Sequence, residues 1–283
     1  MLNEYTLLVK KYLKIYFLII LPKSMEFFEK KSSSLDNICI ILTSTIYVNP
    51  KKNHLCNTDP NNRLETYLKS IKQWLENTNF KIVLVENSGY KYPELKEYAE
   101  KYKDRFEMIL FKEDELKEEV FDEIGAQAVR LPDDYLYTSK GTSEMFAIYY
   151  AYQQSFLAKT CYFFIKITCR YFIPQLETFL TDKNMNDYEA LRQNDRVDNM
   201  EIFKDEKGKC KCEIVGAHKN KFDEVFRPDH FRCSDGLWHH HAESIYRDRL
   251  FTRLTSLDKI LVCDRFKIEP TLQGGTFELM RYL

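Results

Sequence analysis

Four short, almost uninterrupted apolar runs constrain this chain most: residues 37–45 (NICIILTST), 80–86 (FKIVLVE), 106–111 and 161–168 (CYFFIKIT). Each has the length and the β-branched and aromatic content of a strand covered on both faces. Helical spacing fills the gaps. Leu64, Tyr67, Leu68, Ile71 and Trp74 make one apolar stripe across residues 63–77, and Met145, Ile148, Tyr149 and Tyr152 make another across 142–158. Residues 93–102 read as a charged helix. The order β-α-β-α-β-α-β predicts an α/β fold, a mostly parallel sheet with helices on its faces. Residues 112–140 are mixed in character, with Gly125 and Pro132 as breakers. After Pro174 the pattern weakens: residues 209–215 read as a strand, 242–254 as a helix and 260–268 as a closing strand.

Charge and composition exclude several classes. With 42 basic and 43 acidic side chains the net charge is −1, so nucleic acid is not a default partner. Eight glycines and eight prolines in 283 residues exclude collagen-like and Gly/Pro-rich disordered chains. Neither G-x-G-x-x-G nor G-x-x-x-x-G-K-[ST] occurs, which removes the dinucleotide fingerprint and the P-loop. The eight cysteines are too sparse for a disulfide framework, and Cys39, Cys161 and Cys263 sit in apolar runs as small hydrophobes. A reducing, cytoplasmic compartment follows as the simplest expectation. Cys210 and Cys212, spaced C-x-C without a second pair, read as strand residues rather than zinc ligands. The apolar run 15–21 after Lys10, Lys11 and Lys14 is far short of a membrane span. An amphipathic or peripheral extension is the favoured reading, and weak membrane association through this segment the lesser one.

In an open α/β sheet, ligands gather at the carboxyl ends of the strands. Four polar strings stand there: Thr43-Ser44-Thr45, then Glu86-Asn87-Ser88-Gly89, then Lys140-Gly141-Thr142-Ser143-Glu144, then Lys166-Ile167-Thr168-Cys169-Arg170-Tyr171. Hydroxyls at 43–45 suit a base or ribose, Glu86 suits the same groups as an acceptor, and Arg63 could face a phosphate. Each also has a bland reading: strand capping, a turn acid, a surface arginine. Lys166 is the exception, since lysine is rarely buried unpaired and its neighbours are Phe163, Phe164, Ile165 and Ile167. With Arg170 it could form a diphosphate clamp; otherwise it is a salt-bridged strand lysine. Glu243, opening a helix after His239-His240-His241, is the leading candidate base, with Asp235 in reserve. The histidine triplet reads as a polar turn, and His230 and Cys233 complete no zinc spacing.

These strings carry a resemblance. The segments 40–45, 83–89 (VLVENSG), 140–144 (KGTSE), 166–173 (KITCRYFI), Ala242-Glu243 and 268–283 (IEPTLQGGTFELMRYL) resemble the GT-A-type nucleotide-sugar glycosyltransferases of large DNA viruses and bacteria. The similarity spans about residue 36 to the C-terminus. It implies a GT-A-like, Rossmann-type sheet with a mixed C-terminal portion: residues 1–35 as an extension, 36–174 as the nucleotide-binding half and 175–283 as the acceptor-side half. It further implies transfer of a sugar from a nucleoside-diphosphate sugar to a glycan or protein acceptor, in the host cytoplasm if the chain is viral. The fourth string resembles K-x-T-G-R-Y, with Cys169 standing where that pattern has glycine; a side chain there is expected to crowd a close approach to ligand. The Asp-x-Asp pair common at this strand end is absent. A leaving diphosphate can instead be stabilised by positioned Lys or Arg. No cofactor is then required, while a divalent metal (Mn or Mg) on Asp133, Asp134 and a histidine is the weaker option. A degenerate, non-catalytic glycan-binding or virion-associated protein is the alternative. A nucleotidyltransferase is a third reading, without its usual Gly-rich turn.

Overall fold

The computed structural model describes residues 34–52, 55–123, 139–194, 210–228, 242–263, 265–276 and 278–283. The four apolar runs are strands β1 (Ile38–Ser44), β2 (Lys81–Glu86), β3 (Phe106–Leu110) and β4 (Phe163–Thr168). The helices among them are α1 (Pro60–Asn77), α2 (Lys96–Lys101), α3 (Glu118–Glu123), α4 (Lys140–Gln154) and α5 (Phe156–Lys159). Then come α6 (Leu176–Thr181), β5 (Ala190–Asn194), β6 (Cys210–His218), α7 (Phe222–Phe226), α8 (Ala242–Thr252), β7 (Ile260–Cys263), β8 (Lys267–Leu272) and β9 (Leu279–Tyr282).

Seven strands form one sheet in the order β3-β2-β1-β4-β6-β5-β7. β1 pairs in parallel with both β2 and β4, β2 with β3, and β5 with β7; β6 runs antiparallel to β4 and β5. The expected α/β class, with a mostly parallel sheet and a mixed C-terminal portion, is therefore what the chain builds.

Period-two alternation assigns each strand residue to one of two cores. Ile38, Ile40 and Leu42 of β1 join Ile165 and Ile167 of β4 under α1, where Tyr67, Ile71, Trp74 and Leu75 are buried. Cys39 and Ile41 face the other way, toward Met145, Phe146 and Ile148 of α4 and toward α7 and α8. Burial of each large apolar side chain contributes roughly 1.5–3 kcal/mol.

Local chemistry moves several boundaries. α1 starts at Pro60, before the expected residue 63, because Asp59 caps it by accepting from the Asn61 N–H and proline fits the first helical turn. α4 starts at Lys140, capped by Ser139, and ends at Gln154; the hydroxyl of the next residue, Ser155, caps α5. The single helix expected over 142–158 is thus two. The closing strand expected over 260–268 is also two elements. β7 joins the main sheet beside β5, whereas β8 pairs antiparallel with β9 in a separate two-stranded sheet. Strands β5 and β9 were not expected from the pattern. Among the described residues no helix is long and apolar enough to cross a membrane, and run 15–21 lies outside them.

Candidate active site

At the carboxyl ends of β1 and β4 the chain's connections part: β1 leads to β2 and β3 on one side, and β4 to β6, β5 and β7 on the other. Open α/β sheets hold ligands at such a switch point. A cleft of about 140 Å³ lies there. Thr43, Ser44 and Thr45 line it at the end of β1, Arg63 from α1, Asn87 after β2, and Lys140, Gly141 and Glu144 from the first turn of α4. Thr168 and Arg170 line it at the end of β4, and Glu243 from the first turn of α8. Glu86, Lys166 and Tyr171 are fully buried and are not part of its wall. Asp133, Asp134, His230, Cys233, Asp235 and the histidines at 239–241 lie outside the described residues.

Lys166 and Arg170, paired in the sequence argument, have separate fates. Lys166 points from the middle of β4 toward α4. Its ammonium meets the Glu144 carboxylate at 2.8 Å, donates to Thr168 Oγ1 at 3.2 Å and donates to the Cys212 carbonyl. An ammonium has three donors, and all three are engaged within the protein. Burial alone would lower its pKa, but the Glu144 carboxylate outweighs this and holds it above the ordinary value. Lys166 therefore anchors Glu144, which also accepts from Thr43 Oγ1 at 2.8 Å. Arg170 lies beyond Thr168, where β4 has ended, and it reaches the cleft. It pairs with no carboxylate among the described residues, sits 5.5 Å from the Tyr171 ring centre and packs on Gly274. A Cβ on Gly274 would fall 2.5 Å from its Nη2, so glycine there leaves room for the guanidinium.

Glu86 is a loop organiser. One carboxylate oxygen accepts from the Ile46 N–H at 3.0 Å and from the Ser88 hydroxyl; the other accepts from the N–H groups of Ser88 (2.9 Å) and Tyr90 (3.0 Å). Burial raises its pKa against these bonds. Arg63 likewise spends its donors on structure: the Thr45 carbonyl at 2.6 Å, the Asn57 carbonyl at 2.9 Å and the Tyr67 hydroxyl at 2.7 Å. Buried Tyr171 offers its backbone carbonyl to Trp74 Nε1 at 2.9 Å. Glu86 and Tyr171 thus shape the cleft from behind its wall, and Arg63 lines it with its donors already engaged.

A network that motif reading missed borders the cleft. Lys52 and Glu113 form an ion pair at 3.1 Å, with side chains only 6% and 9% exposed. Asn87 Nδ2 donates to Glu113 at 2.9 Å and to the Ser143 hydroxyl at 2.8 Å, Ser143 donates to Glu113, and Thr45 donates to Asn87 Oδ1 at 2.6 Å. Burial raises the Glu113 pKa and lowers that of Lys52, so desolvation dominates on both partners. The sign for stability follows. The folded chain holds the Glu113 proton more tightly than the unfolded chain, so this contribution is full below the ordinary glutamate pKa and is lost as pH rises through the raised value. The difference in urea midpoint between the parent and Glu113→Gln is expected to fall as pH rises through that window. A flat or rising difference contradicts the assignment.

Cys169 corrects the crowding expected of it. Its side chain is fully buried in the α1-side core, burial raises its thiol pKa, and its φ is not positive. No glycine-only conformation exists there, and the thiol does not line the cleft. Cys169→Gly is therefore expected to cost about 1–2 kcal/mol in chemical denaturation, from lost packing and added backbone freedom, with no gain in ligand affinity. A gain in affinity contradicts this.

Glu243 is exposed at the cleft and accepts from the Cys212 thiol at 3.2 Å. Glu213, from β6, also lines the cleft. Among the described residues no three His, Cys, Asp or Glu side chains converge as metal ligands; Glu144 is already held by Lys166 and Thr43. Lys52, Glu213 and the turn Gln273-Gly274-Gly275 are polar cleft residues that sequence reading did not single out. Only the last had a signal, as part of the string at 268–283. Two further hollows adjoin the cleft. One, beyond Asn87, is lined by Tyr47, Ser88 and Asp114. The other lies between α1 and β8.

No family model and no curated protein matches the chain. Among solved structures it is similar to a candidate nucleotide-diphospho-sugar transferase from Desulfovibrio desulfuricans G20, at 14% identity and TM-score 0.38, over 81% of this chain and 80% of that one. The galactosyltransferase LgtC in complex with donor and acceptor sugar analogs gives 10% identity and TM-score 0.40, over 80% and 73% of the two chains. The glycosyltransferase GlyE of Streptococcus pneumoniae TIGR4 gives 12% and 0.39, over 80% of this chain and 44% of that one. Likeness this loose transfers neither activity nor site residues.

Proposed function

We propose that this chain transfers a sugar from a nucleoside-diphosphate sugar to an acceptor hydroxyl. The observation that carries the reading is Arg170: a guanidinium on the wall of the switch-point cleft, without a carboxylate partner among the described residues. Departure of a nucleoside diphosphate builds negative charge on its outer phosphate. A planar guanidinium with paired donors stabilises that charge. Lys140, which also lines the cleft, brings a second positive charge to it, and the first turn of α4 brings the positive end of a 15-residue helix. The nucleoside extends past Thr45 and Asn87 into the hollow lined by Tyr47 and Ser88. Glu243, which also lines the cleft, is the carboxylate that takes the acceptor's hydroxyl proton.

In this reading the leaving-group charge is met by Arg170, and a divalent ion is not required. Incubation with a panel of UDP- and GDP-sugars, with and without EDTA, tests it through release of nucleoside diphosphate. Release that persists in EDTA is expected. Failure to bind or turn over any donor overturns the activity, and loss in EDTA overturns the metal-free version. One observation favours the non-catalytic, glycan-binding alternative: Lys166, one of the two cations expected to hold the diphosphate, has its donors engaged by the protein itself.

A further inference from the structure

The hollow between α1 and β8 plays no part in the reaction just described. It measures about 300 Å³, against about 140 Å³ for the cleft. Arg170 and Gly274 line both, so the two spaces adjoin. Its walls combine two chemistries. Phe172 supplies an apolar ring, while Thr66 and Gln73 from α1 and Thr271 from β8 supply hydroxyl and amide groups. Ser70 is the most informative residue. It lines the hollow, is 2% exposed, and its Oγ has no hydrogen-bond partner among the described residues. Buried hydroxyls are rarely left unmet, and a ligand hydroxyl at this wall would satisfy it. Its charged lining is mixed: Glu65 and Glu269 are offset by Arg63, Lys69 and Arg170, with Lys69 and Glu269 paired to each other, so the neutral polar groups and the ring set its chemistry.

We propose that this hollow is a saccharide subsite that holds a non-reacting sugar unit of the acceptor glycan. A pyranose offers a C–H face to an aromatic ring and hydroxyls that both donate and accept, which is the complement of this lining. An exposed ion pair between Lys69 and Glu269 bridges α1 and β8 at its rim. The inference rests on the proposed reading for the acceptor being a glycan.

Neutral trisaccharides (maltotriose, cellotriose and chitotriose) titrated into the full chain test it by saturation-transfer NMR and calorimetry. Saturable binding of at least one is expected. Gln73→Ala should weaken it by about tenfold, the loss of one or two hydrogen bonds. Thr66→Trp, which fills the hollow from the helix surface, should abolish it. Both variants should keep the parent's melting temperature and its affinity for UDP- or GDP-sugars. Absence of binding by all three sugars, or binding that both variants leave unchanged, overturns the subsite. Donor turnover without saccharide binding defeats the subsite alone. Saccharide binding without any donor binding defeats the transferase reading and leaves the subsite standing.

Discussion

Arg170→Ala is expected to lower the rate of nucleoside-diphosphate release by about 10²–10³-fold, the usual cost of removing a preorganised donor from a developing charge. The fold should survive, because Arg170 lies beyond the end of β4 and its side chain meets the neutral hydroxyls of Tyr67 and Tyr171 rather than a carboxylate. Arg170→Lys should recover only part of the loss, since an ammonium cannot reproduce the two parallel donors of a guanidinium. Gly274→Ala provides an independent check. Its added Cβ would sit 2.5 Å from Nη2 and 2.8 Å from Cζ of Arg170, so the mobile end of that side chain must move while its charge remains. Loss of activity in Gly274→Ala with an unchanged melting temperature is the expected result. If Gly274→Ala is fully active, the position of Arg170 does not matter and the electrostatic account fails.

Lys166→Met carries the largest expected cost in stability. The substitution keeps the volume of the side chain but strands three groups: the Glu144 carboxylate, the Cys212 carbonyl and the Thr168 hydroxyl. Breaking a buried pair on one side typically costs about 3–5 kcal/mol; Glu144 keeps 20% of its side-chain exposure, which moves the expectation to about 2–3 kcal/mol. Because Glu144 holds the Lys166 pKa above its ordinary value, this contribution is intact at neutral pH and is lost only as pH rises through that raised value. Urea unfolding of the parent, Lys166→Met, Glu144→Gln and the double variant measures the coupling. The double variant should be less destabilised than the sum of the singles. Strict additivity would show that the two side chains do not support each other.

The sheet was largely legible because its strands are covered on both faces and therefore read as apolar runs. β5 escaped because Ala-Leu-Arg-Gln-Asn has no such signature: it is short, and buried Gln193 breaks the pattern. The split of the last segment into β7 and β8 was hidden because the charged break at Asp264-Arg265 carries no glycine or proline and apolar residues resume at Phe266 and Ile268. At the site, sequence found the strand ends but could not tell Lys166 from Arg170. Period two puts both on one face, and only the end of β4 at Thr168 separates a buried anchor from a cleft cation. Lys52 lies in a loop and Glu113 opens a single 3-10 turn, neither with any periodicity, and their pairing across residues 52 and 113 leaves no local trace. Glu86 was visible as a strand-end acid, but its engagement by three backbone N–H groups depends on the course of two loops.

The most direct measurement is a ³¹P NMR titration of UDP- and GDP-sugars into the parent chain and into Arg170→Ala, both in EDTA. The account expects the diphosphate resonances of at least one donor to shift saturably with the parent and to stay at their free positions with Arg170→Ala. Donor binding that Arg170→Ala leaves intact, or no shift with any donor, would contradict it.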